Sequence, residues 1–157
     1  MTQPYRIELL GGHDRAAFVS GSDALDRYLQ QQAKQDMRRR VASCFVAVDG
    51  AGEIAGFYTI AASSLVLDLL PAEQAKRLPR YPTVPAVLLG RLAVAQAHQG
   101  KRLGGALVAD ALLRATRAEV MAYAMIVDAK DEAAVRFYQH LGFARLGDDQ
   151  RRLIRAL

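Results

Sequence analysis

The residues best suited to chemistry sit together at 99–105, Gln-Gly-Lys-Arg-Leu-Gly-Gly, inside the stretch LGRLAVAQAHQGKRLGGAL that runs from Leu89 to Leu107. The run before them, Val87–Ala95, is nearly continuous apolar and reads as a strand covered on both faces. Gly104–Arg117 reads as a helix, with Leu107, Val108, Ala111, Leu112 and Ala115 as its buried stripe and Asp110, Arg114 and Arg117 facing out. The start of a helix leaves N–H groups without intrahelical partners, and small residues there let a ligand approach the backbone. Such groups bind phosphate oxygens, and Lys101 and Arg102 add positive charge at the same place. The loop lacks the G-K-[ST] ending of a Walker motif and is not G-x-G-x-x-G. Taken alone, a glycine-bearing turn before a helix is more often only a turn.

Other chemistries have little to draw on. The single cysteine, Cys44, excludes a disulfide framework and every Cys-rich zinc pattern. With His13, His98 and His140 scattered, no metal site is expected, and these histidines and Cys44 read as structural. No apolar run is long enough to span a bilayer, the longest being broken by Arg91, and the first residues resemble no targeting peptide. A cytoplasmic protein is expected. Its 157 residues, 52% apolar, suffice for one domain, 1–157, with its own core. Lys and Arg exceed Asp and Glu by 21 to 16, giving a net charge of +5 and a pI near 9.7. That excess suits a phosphate-rich partner but equally a merely soluble basic protein.

The elements that must position the loop follow from patterning. Tyr5–Leu10 predicts an opening strand. Ser22 predicts a helix N-cap, with Asp23 and Asp26 at the positive end of the helix dipole. Leu25, Tyr28, Leu29, Ala33 and Met37 recur at helical spacing, while Arg27, Lys34 and Arg38 fall on another face and Arg39 and Arg40 extend the charge. Ser43–Val48 and Ile54–Ala61 predict a hairpin closed by Asp49-Gly50-Ala51-Gly52. Between Ser63 and Pro85 the chain is irregular, with a short helix opened by Pro71 over PAEQAKRL and an extended RYPTVP. Tyr123–Ala129 predicts a strand. Asp131 caps a helix with Ala134, Phe137, Tyr138 and Leu141 on one face, ended by Gly142. Phe143–Leu146 and Arg152–Leu157 close the sheet. The order β, α, β, β, short α, β, α, β, α, β, β is mixed α/β, with parallel pairing expected toward the C-terminal half.

Two motifs in this order carry a family resemblance. Strand, Gln99-Gly100-Lys101-Arg102-Leu103-Gly104, then helix resembles the pyrophosphate loop of the GNAT N-acetyltransferase family, Q/R-x-x-G-x-G/A. Asp131-x-x-Ala134-x-x-Phe137-Tyr138-x-x-Leu141-Gly142-Phe143 resembles that family's closing helix, N-x-x-A-x-x-x-Y-x-x-x-G-F. Arg102 stands where the loop pattern prefers glycine, which is harmless at a negative φ and doubtful at a positive one. Asp131 stands where asparagine usually begins the helix. It keeps the capping role, but a carboxylate cannot donate a hydrogen bond to the cofactor.

The resemblance implies a GNAT-like α/β domain, with a mixed twisted sheet, bulged and splayed central strands and flanking helices. It implies acetyl-CoA as donor. Main-chain groups of Leu92, Ala93 and Val94 would hold the thioester and pantetheine, and one strand N–H could stabilise the oxyanion. The segment Gln99, Gly100, Lys101, Arg102, Leu103, Gly104 and Gly105 would hold the pyrophosphate. Tyr138 would be the general acid that protonates the departing CoA thiolate, although by residue pattern alone it reads as core. Val84–Ala97 contains no Asp or Glu to act as base. A lysine amine of pKa about 10.4 would need one, whereas an α-amine near 8 is already partly neutral, which favours an α-amino acceptor.

LDRYLQQQAKQD, IAGFYTIAASS, LPRYPTVPAVLLGRLAVA and VDAKDEAAVRFYQHLGF resemble a particular branch, the acetyltransferase toxins of type II toxin–antitoxin modules. That resemblance implies acetylation of the α-amine on charged tRNA and a block of translation. It also implies a ribbon-helix-helix antitoxin as partner and, by analogy, a homodimer. Lys34, Arg38, Arg39, Arg40, Arg77, Arg80 and Arg91 can then meet tRNA phosphates. For any single arginine of the 38–40 run, a solvated face is the blander reading. Arg91, inside an apolar strand, must meet an internal carboxylate or face the substrate cleft, and the cleft is the reading preferred here. The alternatives are an acetyltransferase for a protein N-terminus, a polyamine or a small amine, and a non-catalytic module that binds CoA or nucleic acid.

Overall fold

The computed structural model describes residues 5–147 and 151–157. Its strands are β1 (Arg6–Leu9), β2 (Ser43–Val48), β3 (Ile54–Val66), β4 (Thr83–Val94), β5 (Ala124–Asp128), β6 (Ala144–Arg145) and β7 (Arg152–Ala156). The α-helices are α1 (Asp23–Arg27), α2 (Ala33–Arg38), α3 (Ala72–Ala75), α4 (Leu103–Arg117) and α5 (Glu132–His140). The strands hydrogen-bond in the order β1-β2-β3-β4-β5-β7-β6. Pairing is antiparallel at β1–β2, β2–β3, β5–β7 and β6–β7 and parallel at β4–β5, so the sheet is mixed as expected. The chain divides into two compact units, Met1–Ala61 with Gly90–Ala111, and Ala62–Leu89 with Leu112–Leu157.

In the first unit the hairpin closes as its sequence directs. The Asp49 carboxylate accepts from the N–H groups of Ala51 and Glu53 at 2.9 and 3.0 Å, and Gly52 takes φ +83°. The β2–β3 register shifts at Ala47/Val48, a bulge. The Ser22 hydroxyl accepts from Leu25 N–H at 3.3 Å and caps α1. A single helix was expected from there to the arginines; instead a π-helical turn, Tyr28–Gln32, separates α1 from α2. The expected stripe nevertheless holds, with Tyr28, Leu29 and Ala33 buried and Leu25 and Met37 packed against the same core as Cys44, Val46 and Phe57. Asp26 is more than a helix-start charge. It is buried and accepts from the Ser20 N–H at 3.0 Å and the Ser20 hydroxyl at 2.6 Å.

Asp110 corrects the outward-facing assignment on α4: the fully buried Tyr58 donates its hydroxyl to it at 2.6 Å. Polar atoms that deep need a partner, and Tyr58 finds one on the helix packed over its strand.

In the second unit β3 runs to Val66, beyond the Ala61 end expected, and passes into a 3-10 turn, Leu67–Leu69. Pro71 does open a helix, but α3 ends at Ala75. β4 begins at Thr83, so Pro85 lies inside a strand. β4 pairs with β5 over Ala86–Leu89 and Ala124–Val127, and then runs on to Val94. It is not covered on both faces as expected: Leu89 and Ala93 are buried, whereas Val87, Leu88, Arg91, Leu92 and Val94 are half-buried and Gly90 is exposed. The Asp131 carboxylate accepts from Ala134 N–H at 2.8 Å and caps α5, and Gly142 at φ +92° ends it.

Candidate active site

The first unit carries the strand–loop–helix. β4 brings Leu92, Ala93 and Val94 to the loop, Gln96–His98 makes a 3-10 turn, and α4 starts at Leu103. Two side chains brace this turn. His98 takes a 2.6 Å hydrogen bond with the Tyr5 hydroxyl at Nδ1 and lies 3.3 Å from the Asp49 carboxylate at Nε2. Gln99 spends its amide N–H groups on the carbonyls of Ser20 and Val94, at 2.8 and 3.0 Å. Its side chain thus orients the loop, a role the motif did not disclose.

Beyond Gln99 the loop turns on Gly100 at φ +80° and Arg102 at φ +63°. Lys101 and Arg102 are exposed and make no ion pair or side-chain hydrogen bond among the described residues. Leu103 is buried and anchors the helix start, while Gly104 and Gly105 form its first turn with no Cβ to shield the N–H groups. Free helix-start N–H groups beside two unpaired cations fit a pyrophosphate.

Arg102 therefore falls on the doubtful side of its departure from glycine. The left-handed region costs a non-glycine residue about 1–2 kcal/mol. Glycine gives back about 0.5–1 kcal/mol through its greater freedom in the unfolded chain. Arg102→Gly should therefore stabilise the ligand-free protein by up to about 1.5 kcal/mol, a rise of up to about 6 °C in Tm by thermal unfolding. A fall in Tm would mean that the arginine side chain stabilises the loop more than its backbone strains it.

The other left-handed non-glycine residue is also an arginine. Arg40, at φ +61°, follows α2 in a paired C-terminal motif, with its own N–H on Met37 C=O and Val41 N–H on Asp36 C=O, both at 3.0 Å. Lys34, Arg38, Arg39 and Arg40 thus cluster on and just after α2, and none has an ion-pair partner among the described residues. Arg77 and Arg80 are exposed in the second unit. Arg91 makes no ion pair with a carboxylate among the described residues. It lies over the Tyr28 ring, 3.7 Å from Cζ to centroid, and Tyr28 in turn donates to Asp36 at 2.7 Å. The sequence pattern placed Tyr28 only in the buried stripe and gave Asp36 no role, and it carried no signal that the two meet.

In the second unit, α5 holds Tyr138, which is 9% exposed. Phe137 and Phe143 pack edge-on against its ring at 5.0 and 5.6 Å. Its hydroxyl has no hydrogen bond among the described residues and is not a buried unpartnered atom, so it reaches the surface. Burial pushes the phenol up to about 12, which keeps it protonated at any working pH. Cys44 behaves as read: burial pushes its thiol up to about 12, far from a nucleophile's range. Among the described residues no group of His, Cys, Asp or Glu could hold a metal ion.

An open mixed sheet and a basic glycine-bearing turn into a helix are features of the acetyltransferase class. The acetyltransferase (GNAT) domain model matches residues 40–145, drawing on both units, and the chain belongs to this family. It is similar to a tRNA-acetylating toxin of Mycobacterium tuberculosis (strain ATCC 25618 / H37Rv), 34% identical over 83% of this chain and 78% of that protein. A point mutant of KacT superposes with a TM-score of 0.88 at 30% identity, over 98% of this chain and 95% of that one. AtaT complexed with acetyl-methionyl-tRNAfMet gives 0.88 at 28%, over 97% and 94%. AtaTR bound with AcCoA gives 0.81 at 27%, over 98% and 94%. An AtaT mutant toxin bound to the C-terminus of the antitoxin AtaR gives 0.79 at 25%, over 98% and 94%.

Proposed function

We propose that this chain transfers acetyl from acetyl-CoA to the α-amine of an aminoacyl group on tRNA and acts as the toxin of a toxin–antitoxin pair. The observation that carries the reading is the exposed, unpaired Lys101–Arg102 turn running into α4, in a GNAT chain whose relatives include a tRNA-acetylating toxin. Acetyl-CoA supplies an activated thioester. The N–H groups from Gly100 to Gly105 hold its pyrophosphate, and the main chain of Leu92, Ala93 and Val94 holds the pantetheine and thioester. One N–H of that strand stabilises the oxyanion, and Tyr138 gives the proton that the departing thiolate takes.

No carboxylate lies on β4 to deprotonate the amine. Elsewhere in the first unit, Asp110 is engaged by Tyr58. Asp36 is held below the usual carboxylate range, first by the hydrogen bond from Tyr28 and then by that from Gln32, which makes it a poor base. An α-amine is already partly neutral and needs none before attack; the proton its nitrogen sheds in forming the amide passes to water, and water returns one to Tyr138. Lys34, Arg38, Arg39, Arg40, Arg77, Arg80 and Arg91 supply the cationic approach for RNA phosphates. A ribbon-helix-helix antitoxin and a homodimer follow by family analogy. No helix among the described residues is long and apolar enough to cross a membrane, and charged tRNA places the reaction in the cytoplasm.

The test is transfer of labelled acetyl from acetyl-CoA to charged tRNA, with uncharged tRNA and spermidine in parallel. Label on the aminoacyl group alone is the expected result, and label on spermidine alone would overturn the tRNA reading. With charged tRNA, kcat/KM should rise tenfold per pH unit below the α-amine pKa of about 8 and then level off. The sign follows from two groups: the acceptor reacts when deprotonated, and Tyr138 acts while protonated, which it remains until about 12. A descending limb between pH 8 and 9.5 would show that some other acid does the work.

A further inference from the structure

We infer that Arg91, held on the Tyr28 ring, is the specificity element that stacks the terminal base of a nucleotide-borne acceptor. The inference rests on the aminoacyl-tRNA reading above and deepens it. Arg91 is half-buried, precedes Leu92 on β4, and has no hydrogen bond or ion pair among the described residues. It lies on the Tyr28 face at 3.7 Å, near enough to Asp36 to help hold that carboxyl below its usual range, so the guanidinium is held while its N–H donors make no hydrogen bond among the described residues. A half-buried guanidinium without an acceptor is costly unless something else uses it.

The platform beneath is built with care. The π-helical turn Tyr28–Gln32 puts Tyr28 and Gln32 at its two ends. Both reach the Asp36 carboxylate, Tyr28 from its hydroxyl at 2.7 Å and Gln32 from its amide at 3.0 Å. Phe57 stacks on the Tyr28 ring at 6.3 Å and 15°. A phenol donating to a carboxylate has a more electron-rich ring, which strengthens its hold on a cation. Turns of this kind are frequent where a helix carries function. A guanidinium fixed in this way is a planar surface, and unpaired RNA bases stack on arginine planes. In charged tRNA the aminoacyl group is esterified to the 3′-terminal adenosine, so the reacting amine arrives with an adenine attached. The donor also carries an adenine, and the experiment must separate the two.

The readout is the ratio of kcat/KM for 3′-aminoacyl-adenosine to that for the same amino acid as its methyl ester. Arg91→Lys keeps the charge but loses the plane, and should lower this ratio about tenfold through the acceptor's KM. Tyr28→Phe keeps the ring but loses the Asp36 bond, and should lower it about threefold. An unchanged ratio in Arg91→Lys, or full recovery of an Arg91→Gln deficit by lysine, would overturn the proposal. So would a tenfold rise in the KM for acetyl-CoA alone, which would assign Arg91 to the donor's adenine. If those results come from a wild type that acetylates charged tRNA, the functional reading survives. A wild type that acetylates no nucleotide-borne amine would sink both.

Discussion

Replacing Tyr138 with phenylalanine should cut turnover by about two orders of magnitude, within the range that a positioned general acid contributes. Affinity for acetyl-CoA should stay within about twofold, because the substitution removes one oxygen from a side chain with no assigned part in cofactor binding. Stability should hardly move. The Tyr138 hydroxyl bonds to nothing among the described residues, and the contacts of its ring with Phe137 and Phe143 survive in phenylalanine. This combination separates the two readings of the residue. A tyrosine that is only core would leave turnover and Tm both unchanged, whereas an acid loses turnover alone. The raised pKa bears on the size of the effect. Full transfer from a phenol at about 12 to a thiolate near 8.5 is uphill by about 5 kcal/mol. The proton must therefore move as the C–S bond breaks, when the sulfur is most basic, or a bound ligand must lower the phenol. Steady-state turnover and acetyl-CoA binding by calorimetry, on the same pair of proteins, decide it.

What the sequence disclosed and what it hid divide along a physical line. The stripe of Leu25, Tyr28, Leu29, Ala33 and Met37, the Ser22 and Asp131 caps and the Asp49–Gly52 turn are local patterns, and all are present in the structure. Features that depend on distant partners were illegible. Asp110 looked outward because its partner, Tyr58, lies 52 positions away. The positive φ of Arg102 is imposed by how the loop closes between β4 and α4, not by any preference of arginine. The π-helical turn leaves the apolar stripe intact and so leaves no trace in periodicity, yet it brings Tyr28 and Gln32 to Asp36. Ala61–Val66, AASSLV, mixes small polar and apolar residues and shows no clean alternation, so the reach of β3 was underestimated. For the candidate site, the motif located the loop and the tyrosine. It could not tell that Gln99 serves the loop's own backbone.

Gly56→Ala should be the most damaging single-methyl change in the first unit. A Cβ at this point of β3 would stand 3.0 Å from the Ala93 carbonyl oxygen, 3.1 Å from a Leu107 methyl and 3.4 Å from a Leu103 methyl. The two leucines are fully buried and have little room to retreat, so the strain falls on the strand main chain that carries the carbonyl. Overpacking of this kind costs about 1–3 kcal/mol. For a chain of this size that is a drop of about 2–12 °C in Tm. The cheapest relief is a shift of β4 at Ala93, and that is the main chain proposed to hold the pantetheine. The KM for acetyl-CoA should therefore rise by about tenfold, as it would for the loss of about 1.4 kcal/mol of cofactor binding. A core control, Val108→Ala on the buried face of α4, should lower Tm comparably by leaving a cavity, without moving the KM. Equal KM values in both variants would mean that β4 absorbs the methyl without displacing Ala93, and the close approach at Gly56 would then be a matter of packing alone.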